Sequence, residues 1–227
     1  GKILSLRNGT NAQLVDINGA NPVVTNTAPA STPRRWGFLT VLADGTVWSN
    51  GGSKNGNVLA DAIYTTELWN PATGQWKMTP NATKPRLYHG SSILLRNGAV
   101  LTGGGGAPGP VANLNGEVYY PPYLFNPDGT FATRPTITSV STRNPALGQT
   151  FNVGLGTSAT ISKVALIRTG SSTHSFNNEQ RFQTLNFTQD ARQLTITAPS
   201  EVNEAPPGYY MLFVFNQQGV PAMAEII

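Results

Sequence analysis

The chain of 227 residues carries two histidines, His89 and His174. His89 follows a tyrosine in Pro85-Arg86-Leu87-Tyr88-His89-Gly90, and His174 lies in the run TGSSTHSFNNEQR. Imidazole nitrogen and phenolate oxygen are donors that suit Cu(II) in tetragonal geometry. A tyrosine binds metal as the anion, and a divalent cation can bring a phenol down far enough from its reference pKa of about 10. Neighbours in a regular strand point to opposite faces. Tyr88 and His89 can therefore share an ion only where the backbone is irregular, and Pro85 and Gly90 bracket such a place. Spacing alone leaves a second reading open, in which both histidines are ordinary hydrogen-bonded side chains and Tyr88 packs against a sheet. A scattered tyrosine and two histidines lack a tight ligand spacing. There is no cysteine, which excludes disulfides and thiolate metal sites in this chain. The glycine run at 103–109 lacks the Lys-Ser/Thr and the helix of a phosphate loop and reads as a tight turn. Trp36, Trp48, Trp69 and Trp76 read as sheet packing, and Glu179 and Asp190 do not suggest a paired-carboxylate glycosidase.

Composition narrows what can position these groups. Charged residues make up 11% of the chain, while 24 Gly and 17 Pro together occupy 41 of 227 positions. Typical domains carry about 25% charged residues and about 12% Gly plus Pro. Helical bundles and coiled coils are excluded, and 39% hydrophobic residues exclude simple disorder. The net charge of +4 is spread thinly. No Lys/Arg stripe marks a nucleic-acid surface, and no apolar run reaches the roughly 18 residues of a membrane span. Gly1-Lys2-Ile3-Leu4 lacks the apolar core of a signal peptide. The triplets Asn8-Gly9-Thr10, Asn81-Ala82-Thr83 and Asn186-Phe187-Thr188 are compatible with a secreted, extracellular protein.

Short alternating apolar runs between Gly, Asn and Pro clusters predict an all-β chain. Residues 38–42 lead into Ala43-Asp44-Gly45 and a second strand. Residues 91–95 lead into Arg96-Asn97-Gly98 and another. Asp-Gly and Asn-Gly predict two-residue type I′ hairpins, which need positive φ at both positions. Each repeat then adds a strand ending in an aromatic residue and proline, at 66–71 and 117–121. A repeat of about fifty residues with a diglycine after its second strand reads as a kelch-type propeller blade, and residues 2–7 read as the tail of an earlier one. The pattern changes near residue 134. Strands are expected at 136–142, 149–155, 161–168, 183–187, 193–198, 209–216 and 220–227, the run at 209–216 being central. Such a series suggests an immunoglobulin-like β-sandwich. The expected organisation is thus a partial kelch β-propeller of about two and a half blades at 1–133, then a sandwich at 134–227. So few blades cannot close a ring of four to eight. The expectation is that missing blades come from upstream sequence or a companion chain.

The stretches RLYHGSSILLRNGAVLTGGGG, YYPPYLFNPDGTFATRPTI, SKVALIRTGSSTHSFNNEQR and PGYYMLFVFNQQGVPAMA together resemble the C-terminal part of the galactose oxidase and glyoxal oxidase family, the copper radical oxidases. The resemblance implies the C-terminal blades of a seven-bladed kelch propeller followed by an immunoglobulin-like domain. It implies oxidation of a primary alcohol or aldehyde, small-molecule or carbohydrate, with O2 to give H2O2. It implies Cu2+ held by Tyr88, His89 and His174, with Tyr88 as the base that takes the substrate proton. Tyr64 falls where the family places a pocket wall, and Gln180 and Arg181 where it braces the His174 hairpin. The family's redox centre, a tyrosine cross-linked to cysteine, would lie upstream, since this chain has no cysteine. The alternative is a secreted, non-catalytic propeller and sandwich with a structural or carbohydrate-binding role.

Overall fold

The computed structural model describes residues 1–6 and 9–227. Arg7 and Asn8, the latter the acceptor of the first glycosylation triplet, lie outside the described residues. The described residues form strands, turns and two short 3-10 turns, with no α-helix. None of them forms a helix long and apolar enough to cross a membrane. They divide into two compact units. The first comprises 1–93, 100–119 and 171–178; the second comprises 94–99, 120–170 and 179–227.

In the first unit, β1 (Lys2–Leu6), β2 (Ala12–Asp16) and β3 (Val23–Asn26) form one sheet. A second contains β4 (Phe38–Val41), β5 (Val47–Asn50), β6 (Thr66–Asn70) and β7 (Gln75–Thr79). A third contains β8 (Gly90–Leu94), β9 (Val100–Gly104) and β10 (Gly116–Tyr119). The expectation of a kelch propeller is overturned here. The described residues of 1–133 form three separate antiparallel sheets of three, four and three strands, and these do not close into a ring. Among the described residues each sheet pairs only strands that follow one another in the chain. The all-β character stands. The Thr40 and Ser92 hydroxyls meet at 2.8 Å between β4 and β8, both buried. Trp48 stacks on Tyr119 at 4.2 Å and 4°, and burial pushes the Tyr119 hydroxyl up to about 12.

The hairpin loops differ from the expected type. Leu42 N–H donates to Thr46 O at 2.8 Å and Gly45 N–H to Leu42 O at 3.0 Å. This is a three-residue loop: a type I turn followed by a glycine with positive φ, 94° at Gly45. The Asp44 carboxylate accepts from Thr46 N–H at 2.9 Å and Thr46 Oγ1 at 2.6 Å. That local bond keeps Asp44 out of the left-handed region a type I′ turn would demand. The loop carrying Asn97-Gly98 repeats the arrangement, with φ 81° at Gly98.

The second unit contains β11 (Ile137–Val140), β12 (Thr150–Leu155) and β13 (Ile161–Arg168). The short pair β14 (Ser172–Thr173) and β15 (Phe176–Asn177) follows and groups with the first unit. The second unit resumes with β16 (Phe182–Thr184), β17 (Phe187–Asp190), β18 (Gln193–Thr197), β19 (Tyr210–Asn216) and β20 (Glu225–Ile226). The sheets are β11-β12-β18-β17 and β16-β13-β19-β20. Period-two alternation turns Phe151, Val153 and Leu155 of β12 and Leu194 and Ile196 of β18 into one core. Val164 and Leu166 of β13 and Tyr210, Leu212 and Val214 of β19 meet them there. Each buried aliphatic side chain contributes about 1.5–3 kcal/mol. The single strand expected at 183–187 is two. Leu185 N–H bonds to Val164 O and Thr197 N–H to Asn186 O, so the chain crosses from one sheet to the other here. Leu185 enters the core at the crossing.

Candidate metal centre

Tyr88 and His89 stand on a turn anchored by Arg86. The Arg86 side chain is buried, donates to Thr102 Oγ1 (3.2 Å), Pro85 O (3.1 Å) and Asn115 Oδ1 (2.8 Å), and lies 3.7 Å from Glu117. Gly90 N–H donates to Leu87 O at 3.0 Å, which closes Leu87-Tyr88-His89-Gly90 into a tight turn. His89 has φ 65°, at the position where a type II turn prefers glycine. This is the irregular backbone that lets two consecutive side chains face one place: the rings of Tyr88 and His89 lie 3.8 Å apart. Gly90 is required beside them, because a Cβ there would meet Phe38 Cζ at 2.9 Å.

His174 stands at the tip of the β14–β15 hairpin, where Thr173 pairs with Phe176. Its two-residue loop has φ 50° at His174 and 72° at Ser175. The type I′ geometry expected at Asp-Gly and Asn-Gly thus occurs where neither residue is glycine. Left-handed backbone at an L-residue costs roughly 1–2 kcal/mol, and such strain clusters at functional sites. The β15 strand lies against β4.

The two imidazoles converge. His89 Nε2 lies 3.0 Å from His174 Nε2, although the two residues are 85 positions apart in the chain. The ring planes cross at 81°. His89 Nδ1 faces Ala107 O at 3.1 Å. A carbonyl only accepts, so Nδ1 is the donor here, and a ring that carries its proton at Nδ1 alone presents a bare Nε2 lone pair. His174 Nδ1 lies 2.7 Å from Thr173 Oγ1, a hydroxyl able to donate or accept. The ring of Tyr88 lies 5.4 Å from that of His174, and the ring of Trp36 lies edge-on to Tyr88 at 4.7 Å. Tyr88 is half-buried, while both histidines are exposed.

The donor set fits a copper ion. Two nitrogens each bound at about 2.0 Å and at a right angle stand about 2.8 Å apart, against about 3.3 Å for a tetrahedral pair. The observed 3.0 Å falls in the span that two imidazole nitrogens on one ion require. Among the described residues no three His, Cys, Asp or Glu side chains group as a metal site, and the aromatic ring beside both imidazoles is that of Tyr88.

Tyr64, 39% exposed, precedes β6 and makes no ring contact with this cluster. Gln180 and Arg181 group with the second unit, and the Arg181 guanidinium donates to Asn203 O at 2.7 Å. Sequence reasoning missed Trp36, read as sheet packing, and the Ala107 carbonyl within the glycine run. It also missed Thr173, although its place next to His174 was a usable signal. The buried pair of Arg34 and Glu67, 3.2 Å apart, was missed as well. Arg34 Nη1 donates to Gly51 O at 2.9 Å, and Glu67 Oε2 accepts from Ser31 N–H at 2.8 Å. These bonds hold the segment leading to Trp36.

Comparison with known proteins places these features in context. Residues 134–227 match the family model "Galactose oxidase-like, Early set domain". The chain is 34% identical over 245 residues to a galactose oxidase of Gibberella zeae, covering all of this chain and 36% of that protein. It is 31% identical over 242 residues to an aldehyde oxidase of Arabidopsis thaliana, covering 94% of this chain and 38% of that protein. Among solved structures it is similar to a fungal alcohol oxidase of the AA5 family in complex with copper. That match has a TM-score of 0.89 and 31% identity, and covers 96% of this chain and 47% of that one. The chain therefore spans about a third of the length of the curated relatives it matches.

Proposed function

We propose that this chain is the C-terminal, copper-holding portion of a secreted oxidase that converts a primary alcohol or aldehyde with O2, releasing H2O2. Tyr88, His89 and His174 hold the metal. The observation that carries the reading is the 3.0 Å approach of the two Nε2 atoms from distant parts of the chain. The similarity to galactose, aldehyde and alcohol oxidases supports it.

Copper(II) bound here would acidify a hydroxyl group beside it and accept one electron. In this reading Tyr88, whose ring lies beside both imidazoles, takes the substrate hydroxyl proton on its oxygen. His89 offers Nε2 because Ala107 O holds its Nδ1–H. His174 offers Nε2 with Thr173 at its other nitrogen. Trp36 packs edge-on against Tyr88. Oxidation of an alcohol to an aldehyde removes two electrons and two protons, which O2 takes up as H2O2. The second electron needs a further one-electron centre. This chain has no cysteine, so a tyrosine–cysteine radical site would belong to sequence upstream.

The test uses the complete protein, loaded with copper and assayed for peroxide with primary alcohols and aldehydes. H174A should lose copper and peroxide production together. Y88F should keep peroxide production at a rate lower by about 10²–10⁴, the usual contribution of general-base catalysis. Unchanged copper content and unchanged peroxide in H174A overturn the assignment. Copper retained with no peroxide from any substrate leaves a metal-binding protein that is not an oxidase.

A further inference from the structure

Asn57 stands far from the histidines in sequence and carries no donor suited to copper, yet its amide reaches the loop that orients one of them. The Asn57 Nδ2 group donates to Gly106 O at 3.1 Å and also to Gly109 O. These two carbonyls flank Ala107, whose own carbonyl faces His89 Nδ1. One amide group with two hydrogens thus spans the turn that presents the Ala107 oxygen. Two carbonyl acceptors also settle which way the amide points, since its oxygen cannot face them.

The loop needs such a clamp. Gly104, Gly105 and Gly106 have φ of 67°, 101° and 95°, a backbone that glycine leaves free to move. Pro108 and Pro110 supply no N–H. The loop is tied at one end, where Gly106 N–H donates to Tyr88 O at 2.7 Å and Asn113 N–H to Gly105 O at 3.2 Å. Beyond Ala107, the Asn57 bond to Gly109 O is the tie that completes the turn.

We infer that Asn57 is a positioning residue for His89: by clamping the 106–109 turn it holds the Ala107 carbonyl on Nδ1, and so keeps Nε2 bare and aimed at His174. The inference rests on the copper reading for its functional consequence, but its structural content concerns the imidazole itself. Partners at the far nitrogen of a ligating histidine fix its tautomer, and losing them costs about 10–100-fold in metal affinity.

The experiment compares the complete protein with N57D and N57A. Ala removes the group, and Asp keeps its size but puts a repelling oxygen where the N–H donors stood, so loss in both variants with recovery in N57Q is the pattern that assigns donation. In the metal-free proteins, ring ¹⁵N shifts of His89 should show the Nδ1–H tautomer in the parent and a mixture in both variants. Cu(II) affinity, by competition with a chelator, should fall about 10–100-fold in both. N57Q, which keeps the amide, should recover part of the loss. A parent-like His89 tautomer in both variants, or parent-like copper affinity in both, overturns the positioning role. Failure of the parent itself to bind copper overturns the proposed function instead, and the tautomer comparison still decides the role of Asn57.

Discussion

Trp36 meets Tyr88 edge to face, the ring centroids 4.7 Å apart and the planes at 60°. It does so from a backbone with φ 59° while remaining 39% exposed. An indole this exposed adds little to a core, and on the proposed reading it would line the approach to Tyr88. W36A should raise KM for alcohol substrates several-fold and leave copper content unchanged; steady-state kinetics with metal analysis checks this.

Thr173 Oγ1 lies 2.7 Å from His174 Nδ1. When His174 donates its Nε2 lone pair to a cation, Nδ1–H must find an acceptor, and the hydroxyl supplies it. T173V keeps the β-branched shape. It should weaken copper about 10–100-fold with little change in unfolding midpoint. An unaltered chelator-competition curve would count against the bond.

Ser175 holds φ 72° at the hairpin tip. Glycine there relieves about 1–2 kcal/mol of left-handed strain at an entropic cost of about 0.5–1 kcal/mol. S175G should therefore stabilise the fold by about 0.5–1 kcal/mol in urea unfolding. A destabilised S175G would show that the turn is not strained.

Arg34 and Glu67 are both buried, 3.2 Å apart. Burial presses the Arg34 guanidinium below its ordinary pKa, against the pull of Glu67. Removing one partner of such a pair strands the other charge, at about 3–5 kcal/mol. E67A should lose that much stability, and the double variant R34M/E67L should recover a large part of it. Denaturant melts of both variants decide the point.

Glu117 shows how the fold responds to acid. Burial pushes its carboxyl up, but bonds from the Thr83 hydroxyl and N–H and from Lys84 N–H, with the charge of Arg86, together hold it below the ordinary value. A carboxylate depressed in the folded state contributes stability above its unfolded pKa, about 4.3. That contribution is lost as pH falls through the lower, folded value. Stability of the parent should therefore drop more steeply than that of E117Q below about pH 4.3. Parallel acid limbs in pH-dependent melts would refute it.

How much was legible beforehand varies from element to element. β13 runs over Ile161–Arg168, as expected from its apolar run, and β19 lies between β13 and β20 as its two-sided hydrophobicity requires. Both loops at Asp44-Gly45 and Asn97-Gly98 occur where expected, yet in another turn class, because the side chains of Asp44 and Asn97 bond to the backbone two residues on. The kelch blades come from a repeat, and the seven-bladed ring from the family resemblance. Repetition reports how neighbouring strands pair, and says nothing of whether three sheets close on one another.

Residue order was enough for the all-β character, the places of the hairpin loops and the identity of the possible donors. These depend on side chain and backbone within about five residues, where turn chemistry acts. The rest belongs to the folded chain. The same Tyr-His and Thr-His pairs could have been ordinary surface groups. Long-range packing brings His174 to His89 across 85 residues, sets Ala107 against one ring nitrogen and stands Trp36 on Tyr88. Such contacts arise from the sum of many burial and pairing terms spread over distant segments, and no short stretch of sequence carries that sum.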